Sequence, residues 1–204
     1  MSRPDATPAD ASPADAPLAD TPPVDTDDAN WAAWFAAARD ATTGGRLSTA
    51  LHRLYADLET ELARHDGRCD QSGRCCRFES FGHRLYVTGL ETAWFLTQAA
   101  PRAVPAGPTS EATADPLHVL PAAPSRDACV FQIDGLCGQH RIRPLGCRAF
   151  FCGGAGEGWQ EAAYEAAQAE LIALHERLRM PYRYGEWRAL LAEADAFRRA
   201  SQQR

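Results

Sequence analysis

The chain has 204 residues and a formal net charge of −6, a length that suits one globular domain with its own hydrophobic core. No stretch approaches the ~18 consecutive apolar residues of a membrane-spanning helix, and the acidic start, without an apolar h-region, argues against a secretory signal peptide. All 21 basic residues are arginine, which excludes P-loop, Schiff-base and other lysine-dependent chemistry.

The net negative charge of the chain comes from the start of the sequence. Residues 1–30 hold seven aspartates and one arginine, a charge of −6, so the remainder is neutral. A neutral domain lacks the basic face of a nucleic-acid-binding protein. Residues 1–25 form five pentapeptides of mainly Pro, Ala and Asp, each ending in Asp. We predict a disordered acidic tail over 1–28 and a single domain over 29–204.

Helical spacing of apolar residues dominates the first part of the domain. A first helix is predicted from Asp28 to the pair Gly44-Gly45 and a second from Arg46 to His65, with Gly67 as its C-terminal cap. The second helix carries a stripe of leucines at positions 47, 51, 54, 58 and 62.

The central part is predicted to contain short elements. A strand over 83–88 precedes a capping box, Thr88 with Glu91, that opens a helix from Leu90 to Ala99. The six prolines of 101–124 predict a surface excursion. A hairpin over 129–137 turns at Asp134-Gly135 with a type I′ turn, and 141–152 is expected to be compact and irregular.

Two further helices are predicted at the end of the chain, over 159–179 and 185–200. Between them, Tyr182, Tyr184 and Trp187 are expected to anchor the last helix, or to form an aromatic wall. The predicted fold class is therefore mainly α, with helices surrounding an irregular cysteine-rich metal-binding centre and a small β-hairpin.

Seven cysteines lie in the central part of the chain. In the cytoplasm, the location expected without a signal peptide, disulfides do not persist. Thiols concentrated in short segments then indicate metal ligation or redox chemistry, rather than seven small buried apolar side chains. The predicted metal ligands are Cys69, Cys75, Cys76, Cys129, Cys137, Cys147 and Cys152.

The spacing of these cysteines favours iron over zinc. Structural zinc sites commonly use paired CxxC motifs, and the chain has none, whereas irregular spacing fits a wrapped iron–sulfur cluster. Four thiolates around a [4Fe–4S] cluster or a zinc ion leave a charge of about −2. Arginines close to the cysteines can offset that charge, and we predict cofactor contacts for Arg143 and Arg148. Zinc remains the alternative cofactor.

Three segments together resemble a known family. Cys69-Asp-Gln-Ser-Gly-Arg-Cys75-Cys76, then Cys129 and Cys137, then Arg143-Pro-Leu-Gly-Cys147-Arg148, are similar to the YkgJ-like cysteine-cluster family. The resemblance covers about residues 67–152 and implies a zinc- or iron-chelating domain related to the cluster-bearing part of flagellin-lysine methylases.

The chain departs from the family pattern at Ser72, which stands where a second cysteine is expected. A hydroxyl is a poor ligand beside thiolates. We expect Cys152 to replace that ligand; the alternatives are a position that never ligates or an open coordination position.

The cysteine pattern leaves three functions open. The first is an iron–sulfur protein with a redox or structural role, and the second is a zinc-stapled, non-catalytic interaction module. The third, implied by the resemblance alone, is a metal-dependent, methylase-like group-transfer component. No membrane or nucleic-acid partner is expected, whereas a protein or redox partner is compatible with each function.

Overall fold

The computed structural model describes residues 26–65, 72–99, 128–150 and 158–203, which form six α-helices and two small antiparallel sheets. The predicted mainly α fold is confirmed. Residues 1–25 of the expected tail, the Gly67 cap and the 101–124 excursion lie outside the described residues, whereas residues 26–28 of that tail are helical and begin the first helix. The helices are α1 (Thr26–Arg39), α2 (Thr43–Arg64), α3 (Gly89–Gln98), α4 (Leu145–Ala149), α5 (Trp159–Leu178) and α6 (Trp187–Gln202).

The strands form two separate pairs. β1 (Tyr86–Thr88) pairs with β4 (Tyr184–Glu186), and β2 (Gln132–Ile133) pairs with β3 (Leu136–Cys137). The β2–β3 hairpin has the predicted turn, because Asp134 and Gly135 have φ of 49° and 81°, the positive values that a type I′ turn requires. β4 lies where the last helix was expected to begin, so α6 starts two residues later than predicted.

The connection between α1 and α2 corrects the prediction that Gly44-Gly45 ends the first helix. Asp40 Oδ1 accepts hydrogen bonds from the backbone N–H groups of Thr42 and Thr43, at 3.0 and 2.6 Å. The chain therefore turns earlier, and both glycines enter the first turn of α2. Gly44 fits there because a Cβ atom would lie 2.6 Å from the carbonyl oxygen of Ala38.

The core lies where α1 packs against α3, and α2 against α5. The predicted leucine stripe of α2 is buried along its whole length. Trp34 is fully buried, and its Nε1 donates to the carbonyl oxygen of Pro181 at 2.9 Å, which ties α1 to the chain entering β4. No helix in the described ranges is both long and apolar enough to cross a bilayer.

The capping box of α3 forms as predicted and also positions the neighbouring elements. Thr88 Oγ1 accepts from the Glu91 N–H, and Glu91 Oε2 accepts from the Thr88 N–H. The other oxygen of Glu91 accepts from Tyr55 of α2 and from the Leu145 N–H, at 2.7 and 2.9 Å. This carboxyl group thereby fixes the start of α4 against α2 and α3. The expectation that 141–152 is irregular is wrong at α4 and at the 3₁₀ turn His140–Ile142.

Candidate metal centre

Five of the seven predicted ligands belong to the described residues. Cys75 and Cys76 lie on a 3₁₀ turn, Arg74–Cys76, while Cys129 precedes β2, Cys137 ends β3 and Cys147 lies on α4. Cys69 and Cys152, including the expected replacement of a ligand by Cys152, lie outside the described residues. Cys76 and Cys129 are buried, and the other three are half-buried.

The 3₁₀ turn is fastened to the hairpin by its backbone. Gly73 has φ of 69°, and a Cβ atom there would lie 1.8 Å from the carbonyl oxygen of Gly135. Only glycine combines a left-handed conformation with so close an approach. The Cys129 N–H donates to the carbonyl oxygen of Cys76 at 2.8 Å, so two cysteine-bearing segments are joined directly.

The Cys76 thiol is the common contact of three other thiols. Its Sγ lies 3.9 Å from Sγ of Cys75, and it hydrogen-bonds with Cys129 and Cys137. These bonds raise the pKa of Cys76, because they stabilise its protonated form. As hydrogen-bond acceptors, Cys75 and Cys137 have their pKa lowered to about 7, and the pKa of Cys129 is lowered as well. The thiolate form is therefore favoured at Cys75, Cys129 and Cys137 relative to an isolated cysteine, and the protonated form is favoured at Cys76.

Backbone and indole donors support two of these sulfurs. Trp187 Nε1 donates to Cys129 Sγ at 3.4 Å, and backbone N–H groups of Phe131 and Gln139 lower the pKa of Cys129 and Cys137, respectively. Bonds of this kind stabilise thiolate ligands and tune the potentials of iron–sulfur clusters. The sequence analysis named Trp187 only as an anchor of the last helix or part of an aromatic wall, because 58 residues separate it from Cys129 and no local pattern links them.

Cys147 differs from the other four described cysteines. Burial raises the pKa of this thiol well above its ordinary value of 9.0, which favours the protonated form. A Cys147 thiolate would also be repelled by thiolates at Cys129, Cys137 and Cys75, which raises its pKa further. Cys147 therefore lies within electrostatic range of the same group of cysteines.

The two arginines predicted to contact a cofactor are both buried but have different surroundings. Arg148 donates from Nε and Nη2 to the carbonyl oxygens of Arg143 and Arg141, at 2.7 and 2.6 Å, and from Nη1 to Glu59. Its guanidinium also lies 4.2 Å from the centre of the Tyr55 ring. These contacts hold α4 against α2, and they leave Arg148 to act on the thiols through its charge, which lowers the pKa of Cys137.

Arg143 has a buried donor for which the described residues provide no acceptor. Its Nε has no hydrogen-bond partner among the described residues, although a buried N–H normally has one. The positive charge of Arg143 contributes to lowering the pKa of both Cys75 and Cys137, so the guanidinium lies within electrostatic range of these thiols.

The donor chemistry of this centre suits a soft metal or an iron–sulfur cluster, since the interacting groups are thiols supported by N–H donors and arginine charge. In the described ranges, however, no three His, Cys, Asp or Glu side chains are arranged to hold a metal ion. Four of the five described thiols are hydrogen-bond partners, because Cys75, Cys129 and Cys137 each interact with Cys76. Ser72, at the departure from the family pattern, is exposed, and its hydroxyl accepts from the Arg74 N–H at 3.4 Å.

Comparisons of the chain with protein-family models, curated proteins and solved structures find no match.

Proposed function

We propose that this chain is a metal-binding cysteine-cluster protein that holds an iron–sulfur cluster, of the [4Fe–4S] type, in a redox or structural role. The observation that supports the proposal best is the contact of the Cys76 thiol with the thiols of Cys75, Cys129 and Cys137. These cysteines come from two segments of the chain, and 52 residues intervene between Cys76 of the first segment and Cys129 of the second. Four free thiols in one place have little structural reason to meet unless they bind something soft in common.

The surroundings of the thiols support a cluster with a net negative charge. Arg143 and Arg148 are buried arginines whose charges act on these sulfurs, and Arg143 Nε has no acceptor among the described residues. Sulfide or thiolate sulfur is an acceptor for such an N–H group. A bound [4Fe–4S] cluster supplies one-electron transfer, and the N–H donors to Cys129 and Cys137 would set its potential.

The test is metal and acid-labile sulfide analysis of the full chain purified without oxygen, together with its absorption spectrum. We expect a brown protein with about four irons and four sulfides per chain. A colourless protein with one or two zinc ions would contradict the iron–sulfur assignment and favour the zinc-stapled interaction module. A metal-free protein that keeps its folded circular dichroism spectrum would contradict both.

Single substitutions then identify the ligands. Cys76→Ser and Cys137→Ser should lose most of the iron, because their sulfurs belong to the group in contact. Ser80→Ala, an exposed change on the segment that follows the 3₁₀ turn, is the control and should retain it. Cys152→Ser tests the expected replacement of a ligand, and full iron content in that variant would refute the replacement.

A further inference from the structure

Four tyrosines form a continuous patch on the face of the domain made by β1, β4 and α5. This tyrosine patch consists of Tyr86, Tyr164, Tyr182 and Tyr184. The rings of Tyr86 and Tyr184 stack with centroids 5.6 Å apart, and the hydroxyls of Tyr164 and Tyr184 hydrogen-bond. The hydroxyl of Tyr182 accepts from Gln168 Nε2 at 2.8 Å.

The patch has the properties of a binding surface. Tyr86, Tyr182 and Tyr184 remain 44%, 46% and 40% exposed although they are large aromatic residues. Their stacking and hydrogen bonds hold the rings in place, so a ligand would immobilise them at little further cost in entropy. Tyrosine is enriched in interfaces because it offers a broad apolar ring and a polar hydroxyl.

The N-terminal segment of the same chain reaches the described domain beside this patch. Asp27 Oδ1 lies 2.9 Å from Nη1 of Arg183, and Arg183 stands between Tyr182 and Tyr184. The side chains of Asp27 and Arg183 therefore separate the two backbones at these residues. Their combined span is roughly 13 Å, a distance that about four extended residues cover. Because neighbouring side chains of an extended segment point to opposite faces, the tail must also pass around the strand, roughly 10 Å more or about three further residues, so residues before about position 20 are within reach of the tyrosine rings.

The composition of residues 1–25 matches the chemistry of the patch. The segment contains six prolines and an aspartate at every fifth position. Proline-rich segments in the polyproline II conformation dock on aromatic-lined surfaces with a small entropic cost. One pentapeptide in this conformation spans about 15 Å, and an aspartate carboxylate can accept hydrogen bonds from tyrosine hydroxyls.

We propose that the tyrosine patch binds the proline-rich segment 1–25 of its own chain. Prolines pack on the rings of Tyr86, Tyr182 and Tyr184, and aspartates accept from their hydroxyls. The repeat offers several equivalent pentapeptides, so the segment can dock in more than one register.

The test is nitration of tyrosine by tetranitromethane in the full-length protein, with each site quantified by mass spectrometry. The test variant replaces the four prolines nearest α1 with glycine, at 13, 17, 22 and 23. The matched control replaces four prolines of the other proline-rich stretch, at 105, 108, 116 and 121. Buried Tyr55, which is 2% exposed, should stay unreactive and report that the fold is intact.

We expect nitration of Tyr182 and Tyr184 to increase at least threefold in the test variant and to remain unchanged in the control. Equal rates in the wild type and the test variant would overturn the proposal. An equal increase in the control would assign the patch to the 101–124 stretch instead. Protection that disappears on dilution would show that the segment comes from a second copy, which would also overturn docking within one chain.

Discussion

Substitution of Glu91 by glutamine tests whether one buried carboxyl group organises the centre of the fold. Glu91 is fully buried, and its two oxygens accept four hydrogen bonds, two from Thr88 and one each from Tyr55 and Leu145. A glutamine amide keeps one oxygen and turns an NH₂ group toward donors. The Tyr55 and Thr88 hydroxyls can rotate to accept, but a backbone N–H cannot, so a buried donor of Thr88 or Leu145 loses its acceptor.

The cost follows from these contacts. One unsatisfied buried N–H costs about 1–3 kcal/mol, and exchanging a charge-assisted bond for a neutral one costs about 1 kcal/mol more. We expect Glu91→Gln to lower the free energy of unfolding by about 2–4 kcal/mol. For a domain of this size, that corresponds to a decrease in Tm of roughly 5–15 °C.

The difference in unfolding free energy between the wild type and Glu91→Gln should depend on pH, and its direction follows from the pKa of Glu91. Burial raises the pKa of Glu91 above its ordinary value of 4.5, so between 4.5 and the raised pKa the native state binds more protons than the unfolded state. The contribution of wild-type Glu91 to stability therefore decreases as the pH rises through that window. Glutamine does not titrate, so the deficit of Glu91→Gln should be larger at pH 4.5 than at pH 7.

Urea denaturation followed by tryptophan fluorescence at both pH values measures this deficit. Glu165→Gln, on the exposed face of α5, is the control and should change stability by less than ~0.5 kcal/mol. A Glu91→Gln protein within ~0.5 kcal/mol of the wild type would refute the structural role of the carboxyl group, and a deficit that grows with pH would refute the assignment of its raised pKa.

Four other substitutions, one of them a matched control, test the packing and the proposed centre. Gly73→Ala should destabilise the protein by about 2–4 kcal/mol and abolish iron retention, because the new Cβ atom would collide with the Gly135 carbonyl oxygen. The control is Gly45→Ala on α2, where the new Cβ atom has open space around it. This control should stabilise the protein by about 0.4–1 kcal/mol in the same urea titrations. Leu51→Ala, at a fully buried position, should cost about 2–5 kcal/mol, and an unchanged urea midpoint would place this side chain outside the core. Trp187→Phe should retain the iron but lose the N–H donor to Cys129, which shifts the potential of the bound cluster to a more negative value; an unchanged potential in voltammetry would contradict that bond.

Local sequence signals predicted most of the helices. The leucine stripe of α2, the capping box of Thr88 and Glu91 and the Asp134-Gly135 turn each depend on residues a few positions apart, so pattern and structure agree there. The prediction failed at Gly44-Gly45, where the cap supplied by Asp40 outweighs the tendency of glycine to end a helix.

Features that depend on distant residues could not be predicted. β4 is only three residues long and forms because it pairs with β1. In this pairing Tyr86 lies opposite Glu186, 100 positions away in the sequence. The cysteines were identifiable by their number, but the meeting of Cys76 with Cys129 depends on the close approach of Gly73 to Gly135, which no spacing rule encodes. The bond from Trp187 to Cys129 could not be predicted for the same reason.

The bond from Trp187 to Cys129 also has a consequence for the order in which the proposed centre would be assembled during synthesis. Trp187 begins the last helix, so 50 residues must still be translated after Cys137 before the indole that contacts Cys129 exists. At 5–20 residues per second, that takes roughly 3–10 s. Throughout this interval the nascent chain already contains the four thiols that are in contact, those of Cys75, Cys76, Cys129 and Cys137, while its C-terminal cover is missing. Delivery of iron and sulfide to the emerging chain would meet an open centre, whereas delivery to the finished protein would have to displace α6 from Cys129.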